Sequence, residues 1–170
     1  MSRCVRTHIT ATLPSMTDVD PVSAWAALLR VHAAVVPKLS RALSDVGLPI
    51  SWYDVLLVLN AAPGRRLRMS ELGQQAVLSR EQVSRVVTEL ERAGLVEKLA
   101  NPDDKRSSFA TITSEGRARL RAAAPAYLAA IEQHYTRHLS KREVTVIATA
   151  LGKVLRAEEG VRYGSARAGR

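Results

Sequence analysis

Cysteine is almost absent from this sequence, and long apolar runs are absent altogether. The single cysteine among 170 residues is Cys4, so an intramolecular disulfide framework is excluded. No stretch approaches the roughly 18 uninterrupted apolar residues that a membrane-spanning helix needs. Residues 1–15 also lack the continuous apolar core of a signal peptide. These absences predict a cytoplasmic protein that does not span or bind a membrane.

The chain also lacks the motifs of common catalytic sites. It contains no Gly-rich phosphate loop, no Gly-x-Ser-x-Gly elbow and no His-Glu-x-x-His pair. No pair of acidic residues has a spacing that argues for catalysis. The sequence therefore predicts neither an enzyme nor a cofactor.

Basic residues, by contrast, are in surplus. The chain has 25 Lys and Arg against 16 Asp and Glu, which gives a formal net charge of +9. Its 46% hydrophobic content is that of a folded domain. A surface with this charge suits a polyanionic partner and favours nucleic acid without proving it.

Apolar residues at helical spacing dominate the N-terminal part. They predict a long helix over residues 20–48, ended by Gly47 and kinked at Pro37. Ser51 is predicted to cap a second, shorter helix, which stops at Pro63-Gly64.

Two short helices are predicted next, after a candidate strand at residues 67–69. Ser70 is predicted to cap the first, and Ser79 the second, in a capping box with Gln82. The second helix ends at Gly94. One of its faces is apolar, formed by Val83, Val86, Val87 and Leu90. The opposite face is polar and available to a partner, and carries Glu81, Ser84, Arg85, Thr88 and Arg92.

A hairpin and two further helices complete the pattern. Residues 95–99 and 108–113 have β-type composition around a turn at residues 101–106. Ser114 is predicted to open a long helix with an apolar face reaching Leu139 and a kink at Pro125, and Ser140 to cap the last helix.

This order of elements predicts a mainly α fold with a small β-hairpin wing. Residues 50–113 form a winged helix-turn-helix, flanked by dimerisation helices at 20–48 and 114–159. The flanking helices carry more apolar surface than one monomer buries, so they are expected to pair across a two-fold axis. Residues 1–19 and 160–170 are predicted to be disordered.

The sequence resembles the MarR family of transcription regulators over roughly residues 21–158. The resemblance rests on the run from Ser79 to Val96 and on the wing. There Asp104-Lys105-Arg106 meets the family's Asp-x-Arg, followed by Ile112-Thr-Ser-Glu-Gly116. The resemblance implies a dimeric repressor, occasionally an activator, on double-stranded, palindromic operator DNA. It also implies that a small aromatic or phenolic ligand lowers operator affinity from a site between the dimerisation and DNA-binding regions.

The predicted DNA contacts lie on the second short helix and on the wing. Arg80 and Arg85 lie on the first turns of the helix assigned to the major groove. Arg106, at the hairpin tip, suits a narrow, electronegative minor groove. Glu81 is left out because a carboxylate is costly near phosphates, although it could accept a hydrogen bond from cytosine N4. The full predicted set is Ser79, Arg80, Gln82, Ser84, Arg85, Lys105 and Arg106.

Three further residues are predicted to line a ligand cavity between the first two helices: His32, Trp52 and Tyr53. Two aromatic rings and one imidazole suit an aromatic acid. Core packing explains these residues almost as well, so both interpretations stay open. The leading function is a ligand-responsive repressor, and the alternative is a constitutive DNA-binding or architectural protein without a ligand.

Two other candidate sites are weak. His134 and His138 have the spacing of metal ligands on one helix, but no obvious third ligand accompanies them, so no metal site is predicted. Cys4 is not predicted to be a redox sensor, because it precedes Met16, which is itself a plausible start.

Overall fold

The structure is a computed structural model that describes residues 20–101 and 104–167, with side chains described except at 104–106 and 159–167. The predicted N-terminal extension 1–19 and residues 168–170 of the predicted tail lie outside the described residues. The chain divides into two units, Met1–Ala34 and Val35–Arg170. Each unit is described by itself below.

The described residues form helices and one small sheet. The α-helices are α1 (Pro21–Asp45), α2 (Ile50–Ala61), α3 (Met69–Gln75), α4 (Arg80–Arg92), α5 (Ser114–His134) and α6 (Lys141–Arg167). The strands are β1 (Arg66–Arg68), β2 (Val96–Asn101) and β3 (Asp104–Ile112). Short 3-10 turns cover Pro63–Arg65 and Thr136–His138. The predicted fold class, mainly α with a β wing, is confirmed.

In the first unit, the described residues of α1 expose an apolar face. Its members are Val22, Trp25, Leu28, Leu29 and Val31. By length and mean hydropathy, α1 is long and apolar enough to cross a membrane, a test that core helices of other proteins also pass. Arg30 and Lys38 interrupt the helix, so its apolar residues do not form one continuous run.

Two glycines end helices where the sequence predicts it. Gly47 and Gly94 both adopt φ of +71°, the left-handed conformation that residues with a β-carbon disfavour. In each case the N–H of the following leucine bonds back to a carbonyl five residues earlier, as in a Schellman motif. These bonds are Leu48 to Leu43 at 3.0 Å and Leu95 to Leu90 at 2.9 Å.

Two predicted caps are wrong. Helix α2 begins at Ile50 directly after Pro49, so Ser51 lies inside its first turn. Proline fixes a backbone angle that suits a helix start, and no side-chain cap is present. Helix α3 begins at Met69 rather than after Ser70. The Glu71 carboxylate accepts the Arg68 backbone N–H at 3.0 Å, so the helix starts two residues earlier than a Ser70 cap predicts.

The cap of α6 is confirmed. The Ser140 backbone N–H donates to Glu143 Oε2 at 2.7 Å, and the Glu143 backbone N–H donates to Ser140 Oγ at 3.3 Å. The predicted end at residue 159 is wrong, because α6 continues to Arg167. A glycine such as Gly160 costs a helix about 1 kcal/mol, but it does not have to end one.

Helix α5 is shorter than its apolar pattern predicts. It ends at His134, so the predicted stripe to Leu139 is divided by the 3-10 turn. Both α1 and α5 continue as single helices through their internal prolines, Pro37 and Pro125.

The sheet has strand order β1-β3-β2, with antiparallel pairs. The candidate strand at 67–69 is therefore real, shifted by one residue, and Leu67 pairs with Ala110 on the buried face. The predicted turn at 101–106 is shorter in the structure. Strand β3 already begins at Asp104, with a register shift beside Asn101.

A close backbone approach joins α5 to the sheet at Gly116. A β-carbon on this residue would collide with the Leu95 carbonyl oxygen and stand 2.9 Å from Ile112 Cγ1. The same Leu95 carbonyl accepts the Thr113 N–H at 3.1 Å. The absence of a side chain at Gly116 therefore sets the distance between α5 and the edge of the core.

Candidate nucleic-acid interface

Helix α4 has one buried face and a firmly capped start. The buried face consists of Val83, Val86, Val87 and Leu90. At the start, the Gln82 backbone N–H donates to Ser79 Oγ at 3.3 Å, and the Ser79 backbone N–H donates to Gln82 Oε1 at 2.9 Å. The predicted capping box is confirmed. Together these features fix α4 against α2, α3 and β2.

The opposite face of α4 borders an open groove of about 740 Å³. Of the predicted contacts, Ser84 and Arg85 lie in it, and both are exposed. Thr88 and Arg92 also border it and were not among the predicted contacts, although the sequence placed them on the same polar face. The complete lining is Glu81, Ser84, Arg85, Thr88, Glu89 and Arg92. A single exposed helix face with guanidinium and hydroxyl groups suits the DNA major groove.

The other predicted contacts of α4 lie at its first turn and do not border the groove. Arg80 is exposed, and its stem lies over Gly73 of α3, where a β-carbon would stand 3.3 Å from Arg80 Cγ. Ser79 and Gln82 use their side-chain oxygens on each other's backbone. The Gln82 side chain also carries amide hydrogens that can donate to DNA.

Glu81 faces its own helix start. The pKa of this carboxyl is lowered, first by its own backbone N–H and then by the Ser79 hydroxyl. A carboxylate at a helix N-terminus also interacts favourably with the positive end of the helix dipole. The charge is therefore partly satisfied within the protein.

The wing carries the remaining predicted contacts. The backbone of Lys105 and Arg106 belongs to β3, close to the hairpin turn. Their side chains lie outside the described residues, so their contact with DNA stays a prediction.

Two arginines that sequence reasoning missed lie on the outer face of the sheet. The guanidinium carbons of Arg66 and Arg68 lie 5.2 and 5.8 Å from the centre of the Phe109 ring. The strand register brings both arginines to this ring, because Arg68 pairs with Phe109 and Arg66 pairs with Thr111, two residues further along β3. The run Arg65-Arg-Leu-Arg68 was the available signal, but the sequence does not indicate its aromatic neighbour.

The predicted ligand residue Trp52 is half-buried and contacts α4. Its indole Nε1 donates a hydrogen bond to Glu89 Oε2 at 3.0 Å. An indole has one donor and no acceptor, so this bond uses its whole polar capacity.

The other two predicted ligand residues differ in environment. Tyr53 is buried, and its ring centre lies 4.5 Å from that of Tyr127 on α5. Burial and then the neighbouring Tyr127 raise the pKa of its hydroxyl. His32 lies in the first unit and is exposed.

Asp54 on α2 fixes the turn that precedes α4. Its carboxylate accepts the backbone N–H of Val77 at 2.8 Å. Burial raises the pKa of this carboxyl, and the hydrogen bond from Val77 opposes that shift. Sequence reasoning missed this contact, because it joins residues 23 positions apart.

A second cavity lies beside α2. It has a volume of about 780 Å³ and is bordered by α2, the end of α3 and Leu155 of α6. Leu57 and Val58 contribute apolar surface, and Gln74 and Gln75 contribute amides. Neither Trp52 nor Tyr53 borders it.

No metal site is found in the part of the chain that the structure describes, where no three His, Cys, Asp or Glu side chains cluster. Cys4 lies outside the described residues.

The helix-turn-helix of α3 and α4, with the β2-β3 hairpin beside it, defines a winged helix-turn-helix DNA-binding protein. Helix α4 is the recognition helix of this class, which is called the reading helix below.

Comparison with known proteins identifies the family. The MarR family profile matches residues 46–107. The crystal structure of Sco3205, a MarR family regulator from Streptomyces coelicolor solved in complex with DNA, is 31% identical, with a TM-score of 0.69, and the match covers 86% of this chain and 90% of that one. AbsC, a second MarR family regulator from that organism, is 28% identical, with a TM-score of 0.72 and coverage of 84% and 97%. This chain belongs to the MarR family of transcription regulators, which are not enzymes.

Similarity to a curated relative covers a shorter segment. The HTH-type transcriptional repressor Rv2887 of Mycobacterium tuberculosis is 37% identical over 91 residues, which is 54% of this chain. The match spans 64% of that repressor's length.

Proposed function

We propose that this protein is a sequence-specific, DNA-binding transcription repressor that works in the cytoplasm. One observation carries the proposal: α4 buries one face completely and presents the opposite face, with Ser84 and Arg85, to an open groove. A helix presented in this way fits the major groove of DNA. The formal net charge of +9 favours the same partner. The repressor activity of the mycobacterial relative and the DNA complex of Sco3205 support it.

The proposed contacts are of two kinds: contacts that recognise the base sequence and contacts that hold the DNA backbone. Arg85 reads a base edge, because it lies in the middle of the groove face and a guanidinium can donate two bonds to guanine. Ser84 contacts the adjacent base or sugar. Arg80, Ser79 and Gln82 at the helix start contact the phosphate backbone. Lys105 and Arg106 of the wing contact the neighbouring minor groove.

We also propose a homodimer on a palindromic operator. The first unit exposes the apolar face of α1, and α6 exposes Val146, Leu151, Val154 and Leu155, three of them by more than half of their surface (57–62%). Apolar faces of this extent mark sites of association. A two-fold dimer duplicates α4, so the operator would carry two inverted half-sites.

Selection from a library of random-sequence duplexes tests the DNA proposal. We expect enrichment of an inverted repeat whose half-sites are about one helical turn apart. Binding without any enriched sequence would contradict it and would favour the architectural alternative.

Removal of residues 141–170 tests the dimer. The truncated chain should be monomeric or aggregated in sedimentation experiments, because it loses the exposed face of α6. A stable dimer with full operator affinity would contradict the assignment of that interface.

We further propose that a small aromatic acid weakens operator binding. A ligand can release DNA only if it binds the conformation that does not bind DNA more tightly than it binds the conformation that does. Trp52 and Tyr53 on α2 are the first candidate site, and the 780 Å³ cavity bordered by Gln75 is the second. Calorimetry with salicylate tests both sites. Loss of binding in Trp52→Phe supports the first, and loss in Gln75→Leu supports the second. Absence of binding to the wild type would contradict the proposal.

A further inference from the structure

Glu89 is an unfavourable residue for a surface that meets DNA. It is one of two carboxylates on the groove face of α4, beside Arg85 and Arg92. Double-stranded DNA carries one negative charge per about 1.7 Å of helix axis. A carboxylate directed into this groove would therefore be repelled by the DNA phosphates. It would also compete with DNA for the guanidinium groups of Arg85 and Arg92.

The structure holds this carboxylate at the edge of the groove. Glu89 is half-buried, and its Oε2 accepts the hydrogen bond from Trp52 Nε1 at 3.0 Å. The two residues are 37 positions apart, so the bond joins α2 to the third turn of α4. A hydrogen bond to a charged acceptor is stronger than one between neutral groups.

Helix α2 also holds the approach to α4, through the bond from the Val77 N–H to Asp54. The start of the reading helix is therefore fixed independently of Trp52. Loss of the Trp52 bond would release the Glu89 side chain without releasing the helix, since Val86 and Leu90 stay buried on either side.

We propose that Trp52 is a positioning residue for DNA recognition: its indole N–H keeps the Glu89 carboxylate at the α2 side of the groove, so that Arg85 is free to reach the bases. This inference rests on the proposed function, in which α4 reads DNA. It gives Trp52 a role that neither ligand binding nor core packing assigns to it.

Three variants test the inference on the full chain. Trp52→Phe keeps an aromatic ring and removes the donor. Glu89→Gln keeps an acceptor for the indole and removes the charge. The double variant removes both the donor and the charge. Each is measured for affinity to the operator obtained by selection, at low and at high salt, with thermal unfolding and sedimentation as checks on folding and assembly.

We expect Trp52→Phe to weaken operator binding by roughly tenfold at low salt, because the carboxylate is released into the groove. The defect should shrink as salt rises, since salt screens repulsion between exposed charges. Glu89→Gln should bind within about threefold of the wild type. The double variant should recover most of the affinity, because the released side chain carries no charge.

A merely structural bond between α2 and α4 gives a different result. The double variant would then be as weak as Trp52→Phe, and the defect would not depend on salt. Either outcome would overturn the inference while leaving the proposed function intact. If the wild-type chain binds no duplex, the proposed function fails and the inference fails with it.

Glu89→Asp gives a second test that leaves the packing of Trp52 unchanged. Aspartate keeps the charge but is one methylene shorter, so it does not reach the indole. We expect the same salt-dependent loss of operator affinity as in Trp52→Phe, and unchanged affinity would refute the inference even if Trp52→Phe does not fold.

Discussion

The close approach at Gly116 allows a quantitative prediction about stability. Gly116→Ala places a methyl group against the Leu95 carbonyl oxygen and Ile112 Cγ1. Moving this carbonyl away would weaken the hydrogen bond that it accepts from the Thr113 N–H at 3.1 Å. Overpacking a tight site costs about 1–3 kcal/mol, and a backbone obstacle places this case near the upper end.

Helix propensity offsets part of this cost. Alanine is better than glycine in a helix by about 0.5–1 kcal/mol. The net loss in the free energy of unfolding is therefore about 2 kcal/mol, which corresponds to a fall in Tm of about 4–8 °C for a chain of this length. Urea unfolding followed by far-UV circular dichroism measures it, at one fixed protein concentration because the stability of a dimer depends on concentration.

Gly152→Ala is the matched control. This glycine also lies in a helix, α6, but a β-carbon there would meet only the mobile end of Arg156, at 3.4 Å. The control should be more stable than the wild type by about 0.5–1 kcal/mol. If Gly116→Ala is as stable as Gly152→Ala, the close approach of α5 to Leu95 is wrong.

Three further predictions concern the reading helix, the wing and α2. Arg85→Ala should weaken operator binding by about 1–3 kcal/mol per half-site and relax the preference at one symmetric base position, as measured by repeating the selection; an unchanged preference would remove Arg85 from base reading. Arg106→Ala should weaken specific and scrambled DNA alike and flatten the dependence of log affinity on log salt by about one or two units per dimer; an unchanged slope would leave this arginine without a role in anchoring. The pKa of the Asp54 carboxyl is raised in the folded protein, so protonation of this group stabilises the fold at pH values below its ordinary pKa of 3.8. That contribution is lost as the pH rises through the pKa of the folded state. Asp54→Asn should therefore be more stable than the wild type at pH 7, with a difference that shrinks toward pH 3.8 in urea titrations; a difference independent of pH would contradict the cause assigned to the shift.

The reading helix was predictable because its signals are local. The Ser79 capping box, the apolar stripe and Gly94 all lie within 16 residues of sequence. Serine caps were less reliable where another residue starts the helix earlier in the chain. Met69 does so at α3, and Pro49 begins α2 without any cap.

Contacts between distant elements were not predictable from periodicity. The bond from Trp52 to Glu89 and the packing of Arg66 and Arg68 on Phe109 depend on how α2, α4 and the sheet come together. The pattern placed each of these residues on a helix or strand, and the partner of each was supplied only by the tertiary fold.

The environment of Trp52 also gives the protein an intrinsic optical probe. The chain has only two tryptophans, and the other, Trp25, lies in the first unit with 60% of its surface exposed. In a Trp25→Phe background, all tryptophan emission would come from an indole bonded to the reading helix. Because the carboxylate of Glu89 is its direct neighbour, any rearrangement of α4 on DNA or ligand binding would change the emission of that single fluorophore, without an added label.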